Sequence, residues 1–360
     1  WRVMITGAGG SIGSELARQI AALAPAHLTL VDSSEFNLYT IDRDLSEQAP
    51  GVAREAMLAD VRDRQRMAGV FAASAPELVF HAAALKHVPL VEANPCEGAL
   101  TNVVGTRIVA DLCAEHAVAA MVQISTDKAV NPVSVMGATK RLAEAYAQAR
   151  DIAGAAARGA ARRPRYVTVR FGNVLGSSGS VVPLFQRQLA QGGPLTVTHA
   201  DAVRYFMTIR EAVELVLQAS VLGMGETTAD PGRILVLDMG APVRIVDLAR
   251  RMIQLAGLRP DVDVEIRITG LRPGERLAED LFHEMETLDR TDVEGIRLAA
   301  PRAADHAFLA RAIDELREAA LAGDESRVLK LLRQYVPEYR PDQAGGAPAG
   351  ASETIVKSDA

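Results

Sequence analysis

Apolar residues in the first half of this chain fall into short continuous runs separated by stretches of helical period. Residues 2–6 (RVMIT), 28–32 (LTLVD), 77–83 (ELVFHAA), 119–126 (AAMVQIST) and 166–172 (YVTVRFG) each read as a strand buried on both faces. Between them, 14–24, the segment NLYTIDRDL, residues 95–116 and the stretch carrying Lys140 read as helices. Strands alternating with helices predict an α/β fold, a doubly wound parallel sheet of the Rossmann type.

Beyond Gly172 the pattern loosens. ILVLD (234–238) still reads as a core strand, and IVDLARRMIQLAG as an amphipathic helix ending at Gly257. The expected organisation is a dinucleotide-binding domain over 1–172, with 208–257 contributing to it. Residues 173–207 and 258–340 form a smaller, interleaved C-terminal substrate-binding part, and 341–360 a low-complexity, disordered tail.

Composition narrows the function classes. With 360 residues, 49% of them hydrophobic, the chain can bury a large core. A net charge of −6 argues against a nucleic-acid partner. Two cysteines and no metal-type spacing among the histidines predict neither a disulfide framework nor a metal site. No 18-residue apolar run is present, and the chain opens at Trp1 directly on a strand. The expectation is a fragment whose preceding segment was removed. The five lysines are Lys86, Lys128, Lys140, Lys330 and Lys357, and three of them fall within 86–140, against a background in which arginine carries the basic charge. Arginine cannot release a proton at working pH, whereas a desolvated lysine can, so a base would resist that bias.

The glycine run ITGAGGSIGSEL follows the first strand and opens a helix, the context a dinucleotide site requires. Gly7, Gly10 and Gly13 permit the tight turn and the close approach of a pyrophosphate, with Ser11 and Ile12 at the helix N-terminus that receives it. Asp32, nineteen positions after Gly13, suits a ribose hydroxyl and repels a 2′-phosphate. Ser33 beside it supplies no compensating cation, so NAD is expected over NADP. Asp60 and Val61 are placed beside the adenine, and Ala82, Ala83 and Ala84 along the passage of the cofactor, with Lys86 at its mouth. His87 reads equally well as a structural histidine.

In nicotinamide enzymes of the short-chain type a tyrosine precedes a lysine by four positions and does proton chemistry. None of the six tyrosines here stands in that relation to a lysine; Met136 does, with Lys140 one helical turn on. A thioether carries no exchangeable proton, so Met136 is expected only to pack. Thr126-Asp127-Lys128 lies just before it at the carboxyl end of a strand, where open α/β sheets hold ligands, and pairs a carboxylate with an ammonium.

The segments TGAGGSIGSEL, DSSEFNLY, HAAALKHVPLVE, STDKAVNP, MGATKR, RFGNVLGSSGSVVPLF, RYFMTI and LRPGE together resemble the UDP-N-acetylglucosamine 4,6-dehydratases of bacterial polysaccharide biosynthesis, which are extended short-chain dehydrogenases. The likeness spans about residues 1–340 and is similar in kind to the large membrane-anchored members, which carry methionine in place of the tyrosine. It implies a redox-neutral cycle: hydride leaves carbon 4 of the sugar, a proton leaves carbon 5, water leaves carbon 6, and the hydride returns to carbon 6. By the same resemblance Asp127 is the acid for the leaving hydroxyl, Lys128 the base at carbon 5, Thr126 the partner of the 4-hydroxyl, and Lys140 the holder of the nicotinamide ribose. Lys86, Asn173, Ser180 and Val181 would line the substrate site; Arg204 and Arg272 would meet the diphosphate, and Glu275 the uridine ribose. The resemblance further implies a UDP-N-acetylhexosamine substrate, a homo-oligomer, and a cytoplasmic catalytic part anchored to the inner membrane only through a segment preceding Trp1. An epimerase on the same fold, or a non-catalytic NAD-binding module, are the rival readings.

Overall fold

The computed structural model describes residues 1–156, 164–225, 230–282, 286, 288–300 and 304–341. Its centre is a nine-stranded sheet. Strands β1 (Arg2–Thr6), β2 (His27–Asp32), β3 (Arg54–Leu58), β4 (Leu78–His81), β5 (Ala120–Thr126) and β6 (Arg165–Phe171) run parallel in the order β3-β2-β1-β4-β5-β6. Ile234–Leu237 extends them as a seventh parallel strand, and Ile296–Ala299 and Leu288–Arg290 close that edge antiparallel. Helices α1 (Ser11–Ala22), α2 (Glu35–Gln48) and α3 (Arg64–Ser74) make the first crossovers. The chain reverses direction between β1 and β4, which opens a crevice above their carboxyl ends. The doubly wound sheet is as expected, because the β4 and β5 runs are buried residue after residue and leave no polar face to water.

Each face of the sheet carries its own core. On one face α1, α2 and the helix Ile209–Met224 bury Leu16, Ile20, Leu38, Val213 and Val216 against Ile5, Phe80 and Val122. On the other the helix Val135–Ala156 buries Met136, Leu142 and Tyr146 with Val79 and Met121.

The C-terminal region divides differently from the expectation. Helices His306–Leu321 and Glu325–Tyr335 belong to the second face: Leu309, Ile313, Leu316, Val328 and Leu332 share its core, so these residues are part of the main body and not of the smaller part. Residues 288–299 likewise join the main sheet. Conversely, the helix Ile245–Leu255 turns its apolar face to Phe185, Leu195, Val197 and Val264, a separate core that makes it part of the smaller unit. The expected tail over 342–360 lies outside the described residues. No helix among the described residues is long and apolar enough to cross a membrane.

The expected helix over 95–116 is interrupted. Pro95–Gly98 is α-helical, Ala99–Gly105 is a π-turn, and Thr106–Glu115 resumes the α-helix. The wider turn faces buried Asn102 toward the crevice loop, where its Oδ1 accepts from Leu85 N at 2.8 Å and its Nδ2 donates to Leu85 O and Thr139 Oγ1, both at 3.0 Å.

Candidate active site

The crevice holds a cavity of about 470 Å³, within the size range of small-molecule sites. Its floor is the β1–α1 turn. Gly7 adopts φ 70°, and a Cβ there would stand 2.6 Å from Ala83 N; a Cβ on Gly13 would stand 1.9 Å from Gly7 O. The loop is therefore drawn in tight, and α1 starts at Ser11 with no side chain capping its free N–H groups. Gly9, Gly10, Ser11, Ile12 and Gly13 face the cavity, a backbone cradle suited to a pyrophosphate. Asp32 braces it: Oδ2 accepts from Gly9 N at 2.9 Å and Oδ1 from Ser34 N at 2.8 Å. Both contacts leave lone pairs for a ribose hydroxyl. Ser33 is exposed and lies off the cavity wall. These residues fit NAD.

The other cofactor candidates divide. Ala82 and Ala84 line the cavity, while Ala83 supports Gly7 through its backbone. Asp60 and Val61 do not reach the lining: Asp60 holds Arg62 at 2.7 and 2.9 Å, and Val61 is buried against Gly105. Lys86 and His87 stand at the mouth, where His87 packs on Gly179.

The wall opposite the glycine loop is the end of β5. Thr126 terminates the strand, and a single 3-10 turn carries Asp127 and Lys128. Thr126 Oγ1 donates to Asp127 Oδ1 at 2.8 Å, and Lys128 Nζ donates to the same oxygen at 2.9 Å and to Asn173 Oδ1 at 3.0 Å. Asp127 Oδ2 is buried next to Gly172 and has no partner among the described residues. A buried carboxylate oxygen left unsatisfied is costly, and such an atom marks a place where a ligand group can bind.

Met136 is 2% exposed and packs into the core while its edge lines the cavity. One turn on, Lys140 Nζ donates to Ile124 O at 2.7 Å. Burial pushes the Lys140 ammonium down to about 8, with Glu144 opposing. Burial and then Lys140 press His81 down to about 3, so His81 is a neutral link between Thr6 and Thr106. Beneath, Glu144 accepts from Ser125 Oγ at 2.6 Å and from Arg170 at 2.7 and 2.8 Å, and Arg170 also reaches Glu286 at 3.0 Å. Burial opposes charge on Glu144, yet Arg170 and Arg141 hold its carboxyl below the ordinary range. This buried ion network locks the end of β5 to the Lys140 helix.

Among the described residues no tyrosine lines the cavity. Tyr205 comes near it, packed on Gly172, its phenol pushed up by burial and by Asp280, Asp127 and Asp238. Ser178 N donates to Ser11 Oγ at 3.1 Å, so the 176–180 loop crosses the glycine turn, and Ser180 begins the helix Val181–Ala190 with its Oγ buried and without a partner among the described residues.

Arg204 is a correction. Its guanidinium is spent on Val203 O, Leu277 O and Arg276 O at 2.7, 3.0 and 2.8 Å, and Leu277 O also accepts from Val203 N at 2.8 Å, which holds the 276–277 backbone against it. Arg272 is exposed and Glu275 closes its turn, Arg272 N donating to Glu275 Oε2 at 3.2 Å; neither lines the cavity, and Val181 also stands just off it. Asn102, Tyr205 and Glu279 were missed by sequence reasoning. The TNVVGT segment offered a polar residue in an apolar helix as a signal for the first, and Tyr205 lies within the RYFMTI motif; nothing local marks Glu279.

A family model described as polysaccharide biosynthesis protein matches residues 3–301. The chain belongs to this polysaccharide biosynthesis family. Within it, the capsular polysaccharide biosynthesis protein CapD of Staphylococcus aureus is 46% identical over 285 residues, covering 79% of this chain and 45% of that protein. The chain thus spans about half the length of this relative. A UDP-N-acetylglucosamine 4,6-dehydratase (inverting) of Campylobacter jejuni is 32% identical over 280 residues, 77% of this chain and 76% of that one. A UDP-glucose 4-epimerase of Rickettsia rickettsii is 33% identical over 299 residues, 81% and 80%. Among solved structures, that of Pen from Bacillus thuringiensis superposes with a TM-score of 0.72 at 26% identity, covering 89% of this chain and 98% of that one. The fold is that of the extended short-chain dehydrogenases.

Proposed function

We propose that this chain catalyses the NAD-dependent 4,6-dehydration of UDP-N-acetylglucosamine, giving a UDP-4-keto-6-deoxy-N-acetylhexosamine for bacterial glycan synthesis. The observation that carries the reading is the pair at the end of β5: a buried carboxylate whose second oxygen has no partner among the described residues and, 2.9 Å from its other oxygen, a lysine that lines the cavity, where no tyrosine among the described residues stands. NAD, when bound, supplies reversible hydride acceptance from carbon 4 and its return to carbon 6. The glycine turn and Asp32 would hold it, with Lys140 at the nicotinamide ribose.

The chain's own residues then manage protons. As hydride leaves carbon 4, Thr126 accepts from the 4-hydroxyl and passes its own proton to Asp127, its partner at 2.8 Å. Lys128, neutral, takes the proton from carbon 5; the C5–H electrons form the C5=C6 bond; the C6–O bond breaks, and the hydroxyl leaves as water with the Asp127 proton. As hydride returns to carbon 6, Lys128 gives its proton back to carbon 5. Asn173 holds Lys128 in place, and Lys86 and Ser180 border the space left for the sugar nucleotide. Likeness to the Rickettsia epimerase favours a second reading, epimerisation at carbon 4, but that reaction needs no leaving-group acid. Incubation with UDP-N-acetylglucosamine discriminates: a product lighter by one water, without net NADH, supports dehydration, and an isomer of unchanged mass supports epimerisation. Deuterium at carbon 4 should reappear at carbon 6.

A further inference from the structure

Beside the acid–base pair lies a carboxylate to which the foregoing chemistry gives no part. Glu279 is 8% exposed, and its Oε1 stands 4.0 Å from Lys128 Nζ and 3.8 Å from Arg204 Nε. Both separations exceed a hydrogen bond, yet at that range in a buried site two charges interact strongly. The placement is not accidental. Leu277 O accepts from Val203 N at 2.8 Å, and Arg204 grips the carbonyls of Arg276 and Leu277, so the 276–279 segment is fastened where its carboxylate meets the lysine. A buried carboxylate held among the described residues by ion pairs longer than a hydrogen bond is a liability for folding, which points to a role in the site.

We propose that Glu279 is a positioning residue that stabilises the ammonium form of Lys128 after it has taken the carbon-5 proton. The proposal rests on the reading of Asp127 and Lys128 as acid and base. The charges facing the pair make the case. Lys128 is confronted by Asp127, by Glu279 and, repulsively, by Lys86. Glu279 is confronted by Lys128, Asp127, Arg204 and Arg276, the last also bound to Asp280 at 2.9 Å. Before elimination Asp127 carries the proton and Lys128 is neutral. Afterwards Lys128 is a cation facing the Lys86 ammonium, with the Arg204 and Arg276 guanidinium groups beside Glu279. Among the described residues Asp127 is the other carboxylate paired with Lys128. Burial pushes the Glu279 carboxyl up and Lys128 pulls it down, so the charge of one depends on the proton of the other.

The test uses the full chain with NAD and UDP-N-acetylglucosamine, measuring kcat and KM at fixed pH, with NAD affinity by titration. Glu279→Gln should leave KM and NAD binding within about threefold and lower kcat about tenfold. Glu279→Asp should recover part of kcat at unchanged KM. A Gln variant with unchanged kcat overturns the proposal, as does a loss confined to KM. Should Glu279→Gln fail to fold, wild-type kcat in Glu279→Asp overturns it, and reduced kcat at unchanged KM supports it. Absence of any dehydrated product from the wild-type chain would instead sink the reading of the pair, and this proposal with it.

Discussion

A methyl group added at Gly137 tests how closely the Lys140 helix must seat against the turn that carries Asp127 and Lys128. Gly137 follows Met136 on the helix Val135–Ala156, and a Cβ there would lie 2.2 Å from Lys128 O, 3.1 Å from Pro132 Cβ and 3.2 Å from Lys128 C. Ordinary contact requires the helix and the turn to part by about 1 Å, and overpacking of this kind costs about 1–3 kcal/mol. Alanine returns about 1 kcal/mol of helix propensity. The obstruction is backbone, which cannot rotate away, so the upper range applies and Gly137→Ala should lose about 2 kcal/mol net. Parting the two elements also moves Lys140 relative to Thr126, Asp127 and Lys128, and a misplacement of about 1 Å lowers turnover on the order of 10²-fold. Gly69→Ala is the matched control: it too is helical, in α3, but a Cβ there meets nothing within 4 Å, so it should gain about 0.5–1 kcal/mol. Urea unfolding of both variants, with turnover measured alongside, decides the matter. If Gly137→Ala is as stable as Gly69→Ala and turns over like wild type, the close seating has no consequence and the reasoning fails.

Lys128→Arg keeps the charge but cannot act as a neutral base, and Asp127→Asn cannot supply a proton; each should lose on the order of 10²–10⁴ in kcat while NAD titrations stay near wild type. Met136→Leu, a near-isosteric change in a packed site, should stay within a few-fold, and an inactive Leu variant beside an active Arg variant would reverse the assignment. Lys140 has its folded value lowered to about 8 from 10.5, so between those pH values the unfolded chain binds a proton the folded one has lost, and stability rises with pH. Relative to Lys140→Met, wild type should gain about 3 kcal/mol across that window in urea melts, whereas parallel pH profiles would refute the burial of a charge there. Arg170→Met strands Glu144, itself 0% exposed, and should cost about 3–5 kcal/mol by calorimetry, much of it recovered when Glu144→Gln is added.

The parallel strands were legible because continuous apolar runs bounded by polar turns admit few other readings, and β4, β5 and β6 fall within a residue or two of the expected limits. The glycine turn, Thr126 to Lys128, and the methionine in the tyrosine's place were legible because each is a local pattern. Features made by distant segments were not. Arg170 sits within an apolar run, and only the fold brings Glu144 and Glu286 to it. Glu279 stands in a loop whose sequence carries no period, and it meets Lys128 through the bonds that Val203 and Arg204 make to the carbonyls of Arg276 and Leu277. Arg204 was assigned by analogy to the diphosphate because its motif does not reveal that three carbonyls already occupy it. The antiparallel edge was hidden by its brevity, three and four residues with nothing to distinguish them from loop.

The π-turn at Ala99–Gly105 makes this helix sensitive to length in a way it is not to composition. Successive residues of an α-helix turn by about 100°. Removing one residue between Gly98 and Asn102 would let the ladder close as an ordinary α-helix, and Asn102 would swing by about that angle away from Leu85 and Thr139. Three hydrogen bonds would go at once, and with them the tie between the crevice loop and the residue before Lys140. Inserting a residue would do the same in the opposite sense. Side chains on the outer face of Thr106–Glu115 can vary freely, but the number of residues leading to Asn102 is fixed by phase, so a single-codon deletion here would be more damaging than most substitutions.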